Sequence, residues 1–89
     1  MEEERIVPQD RYRRHYQETY AQSGYSYERY EDAYEYGRSL GQAYEEPADV
    51  DWMQARPEAR RGWMARSETP WPEVEEAVRE GWRQALERA

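Results

Sequence analysis

One histidine and two groups of carboxylates are the residues of this 89-residue chain best suited to proton-transfer chemistry. His15 is the only histidine and cysteine is absent, so the chain lacks a Cys/His pair and the paired ligand spacing of a zinc site. A close pair of carboxylates can act as general acid and general base. The two acidic groups are Glu28, Glu31, Asp32 and Glu35, and Glu73, Glu75, Glu76 and Glu80.

Both acidic groups have the spacing of the polar face of a helix, so we expect them to be solvated. We expect His15, which adjoins Tyr12 and Tyr16 on one helical face, to be structural or to lie at the surface. No EF-hand loop, HExxH motif, P-loop or GxGxxG pattern occurs. The sequence therefore predicts a protein that is not an enzyme, with no catalytic residues, no metal ligands and no cofactor.

Arginines interleaved with tyrosines and tryptophans form a second candidate site. Every basic residue of the chain is arginine, and residues 11–16, RYRRHY, are the one locally basic segment. Arginine and aromatic side chains dominate many protein interfaces. The candidate interaction surface consists of Tyr12, Arg13, Arg14, Tyr16, Tyr36, Trp52, Arg60 and Trp63. Three interpretations stay open for these residues: packing within the chain, contact with a protein partner or a second copy, and stacking of a nucleobase or small ligand.

Charge and hydrophobic content limit the classes of function. A net charge of −7 argues against binding to nucleic-acid backbones and to anionic lipid. No apolar run has the length of a signal peptide or a membrane span, so we expect a cytoplasmic protein that does not enter the membrane. Leu, Ile, Val and Phe together supply only seven residues, whereas Tyr and Trp supply nine and four. The core must therefore be built mainly from aromatic rings.

Apolar residues recur every three or four positions in four segments, which predicts an all-α fold of four helices arranged as two α-hairpins. The first helix is expected to start near Pro8 or Asp10 and to end at Gln22, and the second to follow a cap at Ser26 and to end near Tyr44. The third, over residues 57–66, is expected to be the shortest and to begin at Pro57, and the last to span about residues 71–88. Gly24 lies where a residue in the left-handed conformation would cap the C-terminus of the first helix. We expect a flexible, acidic N-terminus over residues 1–9 and one domain over residues 10–88. Its first hairpin would span residues 10–44 and its second residues 48–88.

The second and fourth helices share a pattern at an offset of 44 residues, with Gly37 matching Gly81, which predicts an internal repeat with an aromatic-rich core. Small residues on the facing sides would let the two backbones approach closely, and the two hairpins would fold as one unit. The residues expected to pack these helices are Tyr27, Tyr30, Ala33, Tyr34, Gly37, Trp71, Val74, Ala77, Val78, Gly81 and Trp82.

Three motifs carry a resemblance to a known family. They are Y-x-x-Y-E-x-A-Y-x-Y-G at residues 27–37, W-x-x-x-x-P-E-x-R-x-x-W at residues 52–63, and W-x-x-V-x-x-A-V-R-x-G-W at residues 71–82. Over residues 10–87 the chain resembles a family of small uncharacterised bacterial proteins associated with stress. The resemblance implies a stress-associated setting and no catalytic residue. Pro70 and Val74 depart from the family pattern, in which a Ser or Thr cap and a Phe are expected.

The sequence thus favours a small non-enzymatic helical module that binds an unknown protein partner or forms a homodimer, without nucleic acid. An alternative is an acidic mimic of nucleic acid that binds a basic protein, with the carboxylates of the second and fourth helices in a phosphate-like row. A further alternative is a small ligand-binding protein or hydrolase, which requires a pocket of convergent polar groups around His15 or a carboxylate pair.

Overall fold

Four α-helices make up the computed structural model, which describes residues 8–43 and 51–87. They are α1 (Pro8–Thr19), α2 (Tyr27–Gln42), α3 (Trp52–Arg66) and α4 (Trp71–Leu86), and these residues contain no strand. The all-α fold of four helices is therefore as predicted. The parts of the predictions that concern residues 1–7, 44–50 and 88–89 lie outside the described residues.

Aromatic rings fill the core between the helices. Tyr12 of α1 stacks on Tyr34 of α2 with ring centroids 4.9 Å apart, and Tyr20 stacks on Tyr30 at 4.0 Å. These pairs fix α1 and α2 as antiparallel neighbours. All four tryptophans are buried, and so is each of the eleven residues that the sequence assigned to helix packing. Rings thus supply the buried area that the few branched aliphatic residues cannot supply.

Helices α2 and α4 run in the same direction and touch through glycine. A Cβ atom on Gly37 would overlap the carbonyl oxygen of Val78, and one on Gly81 would overlap the carbonyl oxygen of Tyr34. The two contacts are reciprocal, because both members of one pair lie 44 positions from their counterparts in the other. Only glycine allows backbones to approach this closely. The reciprocity is what the internal repeat leads one to expect, and the repeat itself stays a prediction.

The predicted start and relative length of α3 were wrong. The helix begins at Trp52, five residues before Pro57, and its 15 residues exceed the 12 of α1, which is the shortest helix that the structure describes. Asp51 caps the first turn by accepting a hydrogen bond from the Met53 backbone at 3.4 Å. The ring of Trp52 packs 5.1 Å from that of Trp82. The cap and this contact stabilise the first turn, although Pro57 cannot donate a hydrogen bond to it.

The turn between α1 and α2 contains the predicted left-handed residue. Helix α1 ends at Thr19, three residues before the expected end, and the Ser23 backbone then donates to the Tyr20 carbonyl at 2.9 Å. Gly24 follows with a φ angle of 90°, as its position after the helix indicated. The chain thereby reverses direction, so that the inner face of α1 lies on α2.

Candidate functional site

Besides the central contact between α2 and α4, the two hairpins meet along two smaller seams, one between α1 and α4 and the other between α2 and α3. The α1–α4 seam contains an open cavity of about 690 Å³, which we call the groove. Helix α1 lines it with Asp10, Arg11, Arg14, His15 and Glu18, which lie on one helical face because they are spaced by three and four residues. Helix α4 contributes Glu80, Arg83 and Gln84. Almost every side chain of the groove is thus charged or titratable.

His15 lies at the base of the groove with its side chain only 19% exposed. Its Nδ1 is 2.7 Å from the hydroxyl oxygen of Tyr34, and its Nε2 is 3.3 Å from the hydroxyl of Thr19. Burial raises the pKa of Tyr34, so this hydroxyl keeps its proton. When a hydroxyl donates to Nδ1 of a neutral imidazole, the ring proton lies on Nε2. With Tyr34 as the donor to Nδ1, the Nε2–H of His15 donates toward the Thr19 hydroxyl, 3.3 Å away, and Glu80 lies 3.9 Å from the same nitrogen.

Glu80 faces His15 across the groove, with 3.9 Å between its Oε1 and the imidazole Nε2. Its carboxylate accepts hydrogen bonds from Arg83 Nη2 at 2.6 Å and from Gln84 Nε2 at 2.8 Å. Burial alone would raise the pKa of Glu80, but these hydrogen bonds outweigh it, so the pKa is lowered. The sequence placed Glu80 on a solvated face; that prediction was wrong for this residue, because α1 covers it.

A chain of ion pairs extends from Glu80 along the rim of the groove. Arg83 also bonds to Glu87, and Glu87 accepts a hydrogen bond from Arg11 of α1 at 2.9 Å. These contacts occupy two of the three guanidinium groups of the groove. Surface pairs of this kind contribute at most about 1 kcal/mol each to stability. They fix where α1 lies on α4 more than they hold the fold together.

Three charged groups of the groove remain without an ion pair among the residues that the structure describes: Asp10, Arg14 and Glu18. They are exposed and lie at positions i, i+4 and i+8 of α1. An unpaired cation therefore lies between two unpaired carboxylates, beside His15.

The α2–α3 seam is closed by the aromatic ring of Tyr36, whereas the α1–α4 seam is open. The Tyr36 hydroxyl donates to the Ala59 carbonyl at 2.9 Å, and its ring packs 5.5 Å from that of Trp63. A Cβ atom on Gly62 would overlap the Tyr36 hydroxyl oxygen, so the ring fills the space that the small residues of α3 leave. Arg66 lies over the same ring at 5.0 Å.

The eight residues of the candidate interaction surface do not lie together on one exposed surface. Tyr12, Tyr36, Trp52 and Trp63 are core residues, between 1% and 8% exposed. They lie on the inner faces of their helices, because the spacing that suggested a binding stripe is also the spacing of a packed stripe. This part of the prediction is corrected: these four rings cannot contact a partner while the chain keeps this fold.

The other four members of that set remain accessible to different degrees. Arg13, Arg14 and Arg60 are exposed, and the Arg13 guanidinium lies 4.3 Å from the centre of the Tyr27 ring. Tyr16 is half-buried, and its hydroxyl donates to the Tyr25 carbonyl. Of the eight residues, only Arg14 lines the groove.

Sequence reasoning named a pocket of polar groups around His15 only as the requirement of an alternative function, and it did not identify the residues that line the groove. The signal in α1 was the row of charged residues four positions apart around His15, but a row of this kind on one helix is usually a solvated face. The second half of the site comes from α4, more than sixty positions along the chain. Only the packing of α1 on α4 brings the two halves together.

The exposed face of α3 is the other unusual surface. Met53 and Met64 are 69% and 55% exposed, the largest fractions among the exposed large apolar residues that the structure describes. They share this face with Arg60 and Arg61, which form no ion pair within residues 8–43 and 51–87. We call Met53, Arg60, Arg61 and Met64 the α3 face.

No family model, curated protein or solved structure matches the chain. The resemblance to stress-associated bacterial proteins therefore stays a prediction. Within the described ranges, no group of three or more His, Asp or Glu side chains is placed to hold a metal ion. None of the helices in these ranges has the length and apolar character needed to cross a bilayer.

Proposed function

We propose that the chain is a small non-enzymatic helical module that binds another protein through the α3 face. The observation that carries this proposal is the combination of two exposed methionines with two unpaired arginines on one side of α3. The bacterial stress setting is part of the proposal and rests on the family resemblance alone.

The spacing of the α3 face suits contact with a helix. Met53, Arg60 and Met64 recur at intervals of seven and four residues, so they form one stripe along the helix. Methionine adapts to irregular partner surfaces, and arginine is enriched among the residues that dominate binding energy. Because the two guanidinium groups lack carboxylate partners, the fitting partner is an amphipathic helix with acidic residues beside an apolar stripe.

The acidic mimic of nucleic acid is less well supported. Arginines are placed among the carboxylates of α2 and α4: Arg29 bonds to Glu73 at 2.9 Å, and Arg56 forms two hydrogen bonds with Glu75. Arg38 lies 3.7 Å from Glu35. These pairs interrupt the continuous row of negative charge that a mimic needs.

A charge-reversal experiment tests the proposal. The full chain serves as bait, and the captured protein is purified and its dissociation constant is measured. The double change Arg60→Glu and Arg61→Glu should weaken binding by about thirtyfold, or 2 kcal/mol, since both substitutions repel an acidic partner. The matched control changes Arg14→Glu and Arg79→Glu, which alter the net charge equally at exposed positions away from α3, and should bind as the wild type does.

Both variants must keep the thermal midpoint of the wild type. The proposal is overturned if the two variants bind the captured protein equally, or if no captured protein binds more weakly to the α3 variant than to the wild type. Sedimentation equilibrium tests whether the α3 face binds a second copy of the chain. A dimer that the α3 change abolishes would make that copy the partner and would exclude a separate acidic protein.

A further inference from the structure

The groove is not a requirement of helix packing. The same two hairpins close their other seam by placing one ring, Tyr36, over Ala59 and Gly62. At the α1–α4 seam the chain instead has charged groups around an open cavity of about 690 Å³, within the range of about 300–1,000 Å³ typical of small-molecule sites. Charged side chains add little stability at such a position. Their convergence on a half-buried histidine therefore indicates recognition of a ligand.

We propose that the groove binds a small zwitterion, a molecule that carries both a carboxylate and an ammonium group as a free amino acid does. The carboxylate is recognised by the Arg14 guanidinium, beside His15. The ammonium is recognised by Glu18 or Asp10, one helical turn from Arg14 on either side. Side chains four positions apart on a helix have Cβ atoms about 5–6 Å apart, so Arg14 and an acidic neighbour can reach the two charged groups of one small molecule.

The charges of the groove favour a zwitterion over a simple anion. Its lining contains three arginines and three carboxylates, so the formal charge is zero when His15 is neutral. Arg11 and Arg83 are already engaged with Glu87 and Glu80. A ligand with an anionic group alone would meet two unpaired carboxylates and a chain of net charge −7. A cation alone would leave Arg14 without a partner.

The single histidine provides a direct measurement. The imidazole resonances of His15 are followed by NMR in the full chain, at constant pH and salt, during titration with an equimolar pool of soluble free amino acids. The pool should shift the His15 resonances in a saturable way. Two matched pools each lack one charge: N-acetylated amino acids have no ammonium, and amino acid amides have no carboxylate. Each should bind at least about tenfold more weakly, since a hydrogen bond to a charged group contributes about 1.5–3 kcal/mol.

Variants connect the shift to the groove. Arg14→Gln, and the double change Asp10→Asn and Glu18→Gln, replace exposed side chains and should each weaken binding of the free amino acids by about tenfold. Arg79→Gln, at an exposed position of α4 that does not line the groove, should leave binding unchanged. An absent shift with the free amino acid pool overturns the proposal. Equal affinity for the N-acetylated pool, or binding that Arg14→Gln does not alter, overturns it as well, because the ligand would then be a simple anion or would lie elsewhere.

Discussion

The two seams between the hairpins solve the same packing problem in different ways. At the α2–α3 seam, the Tyr36 ring enters a space left by Ala59 and Gly62, and its hydroxyl is satisfied by a backbone carbonyl. At the α1–α4 seam, His15 and Glu80 face each other 3.9 Å apart beneath an open groove. The closed seam buries apolar area and leaves nothing for a ligand, whereas the open seam gives up burial and keeps charged groups accessible.

The contrast separates stability from recognition within one small chain. Fully buried aromatic side chains stabilise a fold by several kcal/mol, while exposed ion pairs contribute about 0–1 kcal/mol each. The closed seam should therefore be needed for folding and the open seam should not. Substitutions at the two seams test this division.

The largest effect is expected at the closed seam. Tyr36→Ala removes a buried ring and its hydrogen bond to Ala59, and leaves a cavity between α2 and α3. We expect a loss of about 3–5 kcal/mol in the free energy of unfolding, measured by urea denaturation followed by circular dichroism. Domains of this kind have total stabilities of about 5–15 kcal/mol, so much of the protein would unfold at moderate temperature.

Tyr25→Ala is the matched control for that substitution. Tyr25 is 46% exposed and contacts the Arg29 guanidinium at 3.9 Å. Its removal should cost no more than about 1 kcal/mol. If the two variants lose similar amounts of stability, the closed seam has no special part in folding.

The fold was accessible from sequence because helix packing follows a simple period. Tyr30, Ala33 and Tyr34 on α2, with Val74 and Val78 on α4, recur at helical spacing, and all are buried. The start of α3 was not accessible, because Pro57 resembles a first-turn proline until the Asp51 cap and the Trp52 contact are seen.

The groove was inaccessible for a different reason. Periodicity shows which face of a helix is polar, but not which other helix covers that face. Glu80 had the same sequence signature as its solvated neighbours, and only the position of α1 distinguishes it. A site made from two polar faces therefore depends on tertiary packing that a single sequence does not reveal.

A smaller effect is expected from alkaline pH, which tests whether water reaches the tyrosine hydroxyls of the core beneath the open seam. Burial raises the pKa of Tyr12 in α1 and of Tyr20, the residue after α1, to about 12 from 10.0. Below pH 10 the folded and unfolded chains both hold these protons, so stability is unaffected. Between about pH 10 and 12 the unfolded chain loses them first, and the free energy of unfolding should fall by up to about 2 kcal/mol for each of the two groups.

Urea midpoints measured across that pH range, together with the tyrosinate absorbance, test this expectation. Tyr12→Phe removes one of the two groups, so its stability should fall less steeply with pH than that of the wild type. A wild-type stability that stays constant up to pH 12 would show that water reaches these hydroxyls from the groove, and the open seam would extend into the core.

The smallest effect is expected at the open seam. Arg83→Gln removes the ion pairs with Glu80 and Glu87, yet the Arg83 side chain is 50% exposed. We expect a loss below about 1 kcal/mol in the free energy of unfolding, and a smaller loss in high salt because screening weakens exposed pairs. Arg61→Gln, which removes no ion pair, gives the baseline. A loss as large as that of Tyr36→Ala would mean that the charges of the groove hold α1 on α4. The open seam would then be an alternative form of packing, and the reason for assigning a ligand to it would disappear.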